Sequence, residues 1–141
     1  MKFILDASVA LLWLVPHTNP AGVDYADAVL TALKNAQGVV PSLFALETAN
    51  VIAKVEAKGV VSEADSQRFI TLLGRLNIVT DTETMAHAWG DTLNLARRYK
   101  LSSYDAAYLE LALRTGLPLA TLDVGLAKAA ATAGVAAVGT H

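Results

Sequence analysis

The chain has 141 residues, no cysteine and a formal net charge of −2. That length suits one domain with a real core, and the missing cysteine excludes disulfides, thiolate metal sites and cysteine nucleophiles. The acidic balance lacks the footprint of an ordinary nucleic-acid binder, so a nucleic-acid partner would need positive charge from elsewhere, such as a divalent metal.

Lys2–Leu5 reads as a short buried strand ending at Asp6. Asp6 and the bulky Val15-Pro16-His17 argue against a secretory signal. A helix is expected from about Ser8 to Leu14, a break at Asn19-Pro20, and a helix from about Gly22 to Asn35. Val39-Val40 is a second strand closed by Pro41. Ser42 is expected to cap a helix running to about Lys58 and stopped by Gly59. Ser62-Glu63-Ala64-Asp65 opens the next helix, which ends near Leu76. Asn77–Thr80 is a third strand, and Thr84–Tyr99 reads as one helix with Met85, Trp89, Ala96 and Tyr99 on one side. Ser102 or Ser103 caps a helix to about Arg114, ended by Gly116. Leu117–Thr121 is a fourth strand, Val124–Ala133 a last helix and Val135–Val138 a final strand.

Apolar strands alternating with helices predict an α/β fold, a three-layer α/β/α arrangement around a parallel sheet of about five short strands. No linker or repeat divides the chain, so residues 1–141 read as a single domain. The Ala-rich stretch near Ala129–Ala137 is too short and too broken to span a membrane. The expectation is a cytoplasmic protein without membrane contact. Hydrophobic residues make up 54%, above the usual ~45–50%, which leaves apolar surface for an interface on the helices carrying Leu72, Leu73 and Leu76 or Leu30 and Leu33.

Open parallel sheets bind ligands at the carboxyl ends of their strands. Asp6 and Asp123 each follow a strand, where an acid also serves as a helix cap. Glu47 shares a helical stripe with Asn50, Lys54 and Lys58, beside a buried stripe of Phe44, Val51 and Val55. Glu47 lies in the first half of a helix that starts after a strand, at the same sheet edge as Asp6. Asp105 lies in a first helical turn, which favours negative charge. Ala106 and Ala107 beside it allow that turn to press close to its neighbours. There is no phosphate-binding glycine loop and no nucleophile elbow. His17, His87 and His141 have no metal-ligand spacing. What remains is carboxylates at one sheet edge, a donor set that selects Mg²⁺ or Mn²⁺ and points to phosphodiester chemistry.

Four segments together resemble the PIN domain, and within it the VapC-type toxins of toxin–antitoxin pairs. They are ILDAS with Asp6 and Ser8, PSLFALETAN with Glu47, LSSYDAAYLELA with Asp105, and TLD with Thr121 and Asp123. The resemblance spans the whole chain. It implies a Mg²⁺- or Mn²⁺-dependent endoribonuclease, a homodimer and a cognate small antitoxin protein. It assigns Asp6, Asp105 and Asp123 to a metal, and Glu47 to a metal or to the attacking water. Ser8, Thr121 and Asn50 are then candidates to hydrogen-bond the carboxylates or the ion's waters. Lys54, Lys58, Arg97, Arg98 and Lys100 are candidate phosphate contacts. Two other readings stand beside it. One is a PIN-like scaffold that binds without catalysis. The other is a signalling receiver domain, which would want a paired acid near the first strand and a late strand-end lysine that this chain lacks.

Overall fold

The protein is described here by a computed structural model covering residues 1–139; His141 lies outside the described residues. β1 is Lys2–Leu5. Its three consecutive apolar residues, Phe3, Ile4 and Leu5, are fully buried. Side chains alternate between faces along a strand, so a run buried throughout has both faces covered. β1 therefore takes a central place. It pairs in parallel with β2 (Gln37–Val40) on one side and β4 (Leu119–Ala120) on the other. β2 pairs in parallel with β3 (Ile78–Thr80), giving the order β3-β2-β1-β4.

Among the described residues the sheet has four strands, close to the expected number of about five. Val135–Val138 contributes only an isolated parallel bridge between Ala137 and Leu119. Its neighbour β4 is two residues long, too short to template a full strand beside it.

The helices flank the sheet. α1 is Ala7–Ala10, which tightens into a 3-10 turn at Leu11–Trp13, so the expected single helix is shorter and starts earlier. α2 is Val23–Ala32, α3 is Phe44–Ala57 and α4 is Glu63–Arg75. α4 opens on the reciprocal Ser62/Asp65 capping box that its sequence signals. α5 is Leu93–Tyr99, α6 is Ser103–Thr115 and α7 is Val124–Thr132. Gly59 and Gly116 follow α3 and α6 with φ of +71°, the left-handed turn that favours glycine after a helix. α6 is buried from Ala106 to Ala112 and packs on β1, α5 and α7.

Three other expectations change. Thr84–Tyr99 is not one helix: a 3-10 turn (Met85–His87) and a π-turn (Ala88–Thr92) precede α5. Gly90 leaves helical geometry there, at φ −104° and ψ −105°. Trp89 and Met85 are consequently exposed, at 93% and 75%. Ser42 does not cap α3; Leu43 holds the N-cap position without a side-chain bond. Leu33, a candidate interface residue, is buried in the core. Among the described residues no helix is long and apolar enough to cross a membrane.

Candidate active site

The strand order reverses between β1 and β4, and such a switch point opens a crevice at the carboxyl ends of the two strands. Asp6 ends β1 and Asp123 lies just past β4. The Asp6 amide donates to the carbonyl of Ala120 at 3.0 Å, which fixes the two strand ends together. α3 brings Glu47 to the same crevice and the first turn of α6 brings Asp105. All four acids line one cavity of about 590 Å³, with Ser8, Asn50 and an apolar wall that includes Leu43, Leu46, Val51 and Tyr104.

Asp6 is buried, and two hydroxyls hold its charge. Ser8 Oγ donates to Oδ2 at 2.5 Å and Thr121 Oγ1 donates to the same oxygen at 2.7 Å. Those hydroxyls are themselves oriented from β4's loop. The Leu122 amide donates to Ser8 Oγ at 2.9 Å and the Asp123 amide to Thr121 Oγ1 at 3.0 Å. Ser8 and Thr121 thus both hydrogen-bond the same carboxylate oxygen of Asp6. Asp6 sits at the N-cap position of α1 without a side-chain cap bond, so its carboxylate is not spent on the helix. Asp123 differs: its Oδ2 accepts from the Leu126 amide at 2.7 Å and caps α7. For Asp123 the helix-cap role and the cavity position coexist.

Glu47 accepts at Oε1 from the Tyr108 hydroxyl at 2.6 Å. Tyr108 is fully buried on α6 and escaped the sequence reading because it looks like helix core. Its spacing of three from Asp105 was the available signal, since residues three apart share a helix face. Ser102, not Ser103, caps α6 by accepting from the Asp105 amide at 3.1 Å. The Asp105 carboxylate is therefore not needed as the cap.

The electrostatics follow from burial and proximity. Desolvation raises the Asp6 carboxyl above its usual range, with a smaller push from Asp123, against the hydroxyl bonds that lower it. Desolvation likewise raises Glu47, with Asp6 and Asp105 adding to it against the Tyr108 bond. Asp105 is pushed up to about 6, by desolvation first and then by the charges of Asp123 and Asp6. None of the lining residues is a lysine or arginine. Among the described residues the cavity's negative charge thus has no counter-charge at its wall, and an oxygen-only donor set of this kind suits a hard divalent cation.

The carboxylates do not close on a common point. Among the described residues no three acidic or histidine side chains stand together in reach of one ion. Asp6, Glu47 and Asp123 each give one oxygen to a donor of the protein itself. Asn50 lines the cavity, but among the described residues no hydrogen bond joins it to the acids. On α3, Phe44 and Thr48 are the buried residues, while Val51 faces the cavity and Val55 is half-buried. Lys54, Lys58, Arg97, Arg98 and Lys100 are exposed and line none of the acid cavity. Arg98 instead borders a second cavity with His87, Asp91 and Glu110.

A further strand-end acid escaped notice. Asp81 follows β3, but Arg114 neutralises it with a forked pair of bonds at 3.1 and 2.7 Å.

Residues 3–132 match the PIN domain family. Among curated proteins, Ribonuclease VapC3 of Pyrobaculum aerophilum is 29% identical over 128 residues, covering 91% of this chain and 94% of that protein. The crystal structure of PAE2754 from Pyrobaculum aerophilum is similar with a TM-score of 0.62 at 22% identity, over 92% of this chain and 87% of that one. The structure of VapBC2 from Rickettsia felis, bound to a DNA fragment from their promoter, contains a chain similar with a TM-score of 0.64 at 17% identity, over 91% and 92%. The fold agreement removes the receiver-domain reading.

Proposed function

Because this chain belongs to the PIN-domain family, we propose that it is a Mg²⁺- or Mn²⁺-dependent endoribonuclease, the toxin of a type II toxin–antitoxin pair. The observation that carries this reading is the meeting of Asp6, Glu47, Asp105 and Asp123, from four separate segments, in one cavity without a basic side chain. The curated relative called a ribonuclease supports the activity. The structural neighbour from VapBC2, bound to a DNA fragment from their promoter, supports a cognate small antitoxin as partner. A homodimer in the cytoplasm is the proposed state of the free protein.

Asp6, Asp105 and Asp123 are the residues proposed to hold the ion, directly or through water. When bound, the ion supplies Lewis acidity and charge neutralisation at the scissile phosphate. Ser8 and Thr121 favour the ionised form of Asp6 against its burial and aim the carboxylate. Glu47, fixed at Oε1 by Tyr108, offers its other oxygen to the ion or to the water that attacks phosphorus. Lys54 and Lys58 on α3, and Arg97, Arg98 and Lys100 at the end of α5, are the proposed contacts for more distant phosphates of the RNA.

The test is cleavage of a mixed tRNA and ribosomal RNA pool, with Mn²⁺ and with chelator, by wild type and Asp6→Ala. Cleavage that needs Mn²⁺ and disappears in Asp6→Ala is the expected result. Cleavage that survives both chelation and the substitution would overturn the reading. Mn²⁺ binding without any cleavage would favour the non-catalytic scaffold.

A further inference from the structure

The helix that carries Glu47 has no side-chain cap of its own, since Leu43 occupies its N-cap position. The amide just before it, from Ser42, donates instead to Thr84 Oγ1 at 3.1 Å, a residue 42 positions away in sequence. Thr84 is 5% exposed, and its hydroxyl proton goes to Asp81 Oδ2 at 2.8 Å. A hydroxyl has one proton, so giving it to Asp81 leaves its oxygen as the acceptor for Ser42. Asp81 is oriented in turn by Arg114, Nη1 to Oδ1 at 3.1 Å and Nη2 to Oδ2 at 2.7 Å. Arg114 also donates to Glu110, from Nε at 2.8 Å and from Nη2 at 3.1 Å. Glu110 is 3% exposed, so this guanidinium is held on both sides. Glu110 and Arg114 lie on α6, the helix that presents Asp105.

The chain of bonds therefore runs from the Asp105 helix, through the loop after β3, to the root of the Glu47 helix. Tyr108 makes a second link between the same two helices, at Glu47 itself. We infer that Thr84, Asp81 and Arg114 are positioning residues that set where α3 places Glu47 against the acids on the rest of the cavity wall. The inference rests on the proposed ribonuclease only for its rate measurement.

Thr84→Val keeps the shape and removes the hydroxyl. The comparison is Ser62→Ala, which removes the α4 cap and destabilises the fold away from this chain of bonds. In metal-free protein, the ¹³C signal of the Glu47 carboxyl should shift in Thr84→Val, return in Thr84→Ser and stay fixed in Ser62→Ala. Exchange of the Ser42 amide should speed up at least tenfold in Thr84→Val alone. For RNA cleavage, Thr84→Val should lose at least tenfold in kcat with little change in KM, and Thr84→Ser should restore it. Should Thr84→Val fail to fold, Arg114→Lys, which keeps the charge but loses the fork, should shift the same carboxyl signal. An unmoved Glu47 signal, or a kcat loss no larger than that of Ser62→Ala, would overturn the inference. If wild type cleaves no RNA the functional reading fails by itself, and the carboxyl signal still decides the positioning role.

Discussion

At Asp6, burial works against the charge and two hydroxyls work for it. Hydrogen bonds to a charged group contribute about 1.5–3 kcal/mol. Thr121→Val should therefore raise the Asp6 pKa further and slow cleavage about 10- to 100-fold. Because the ionised form is the useful one, the acid limb of the pH–rate profile should move to higher pH. An unmoved limb would mean that Thr121 does not tune Asp6. Asp105 gives a stability prediction with the opposite look. Its folded pKa of about 6 lies above its ordinary value of 3.8, so the folded state binds the extra proton. Below the ordinary value both states are protonated and nothing is lost. Between the two values stability falls as pH rises, and above about 6 the whole cost is present. Asp105→Asn should then stabilise the metal-free protein at pH 8 and not at pH 3. The site is partly open to water, so the gain is discounted to about 1 kcal/mol, or about 2–4 °C in Tm. A loss of stability at pH 8 would indicate that the helix dipole, not crowding of carboxylates, governs this residue.

At the scale of elements, the site depends on how α3 and α6 face each other. Tyr108→Phe removes one link between them and leaves Glu47 Oε1 without its donor. The expected cost is about 1 kcal/mol in thermal melts, with cleavage reduced about tenfold; a fully active variant would show that Glu47 needs no such hold. The sequence made parts of this layer readable. Three apolar residues before Asp6 mark a strand covered on both faces, and Ser62 with Asp65 marks a helix start; both are local patterns, and both are found. Ser42 is not the cap because the helix starts at Phe44 and puts Leu43 at the N-cap position, while the Ser42 amide meets Thr84, a tertiary contact with no local trace. The spacing of Met85, Trp89, Ala96 and Tyr99 suggested one helical face. The departure at Gly90 breaks its phase and turns Met85 and Trp89 to water. The four acids were legible because strand ends and first turns are fixed by sequence. Tyr108 and Arg114, acting from inside a buried helix, were not.

For the molecule as a whole, a net charge of −2 predicts that the proposed RNA substrate would be held by few cationic contacts. Each of Lys54→Ala and Lys58→Ala should lower the salt slope of binding to single-stranded RNA by about 0.7 if it meets a phosphate. Unchanged slopes would assign both to ordinary surface charge. The apolar excess surfaces near the cavity, at Leu46 and Tyr104, and at Met85 and Trp89. The cation site proposed for this chain is built by Asp6, Asp105 and Asp123, distant in sequence, with Glu47 beside them on the same cavity wall. Calorimetric titration of Mn²⁺ tests it most directly, in wild type, Asp6→Ala, Asp105→Asn, Asp123→Ala and, as a control, Asp91→Asn, whose carboxylate borders the other cavity. The account predicts at least tenfold weaker Mn²⁺ binding in each of the first three variants and wild-type binding in Asp91→Asn; equal affinity across all five proteins would contradict it.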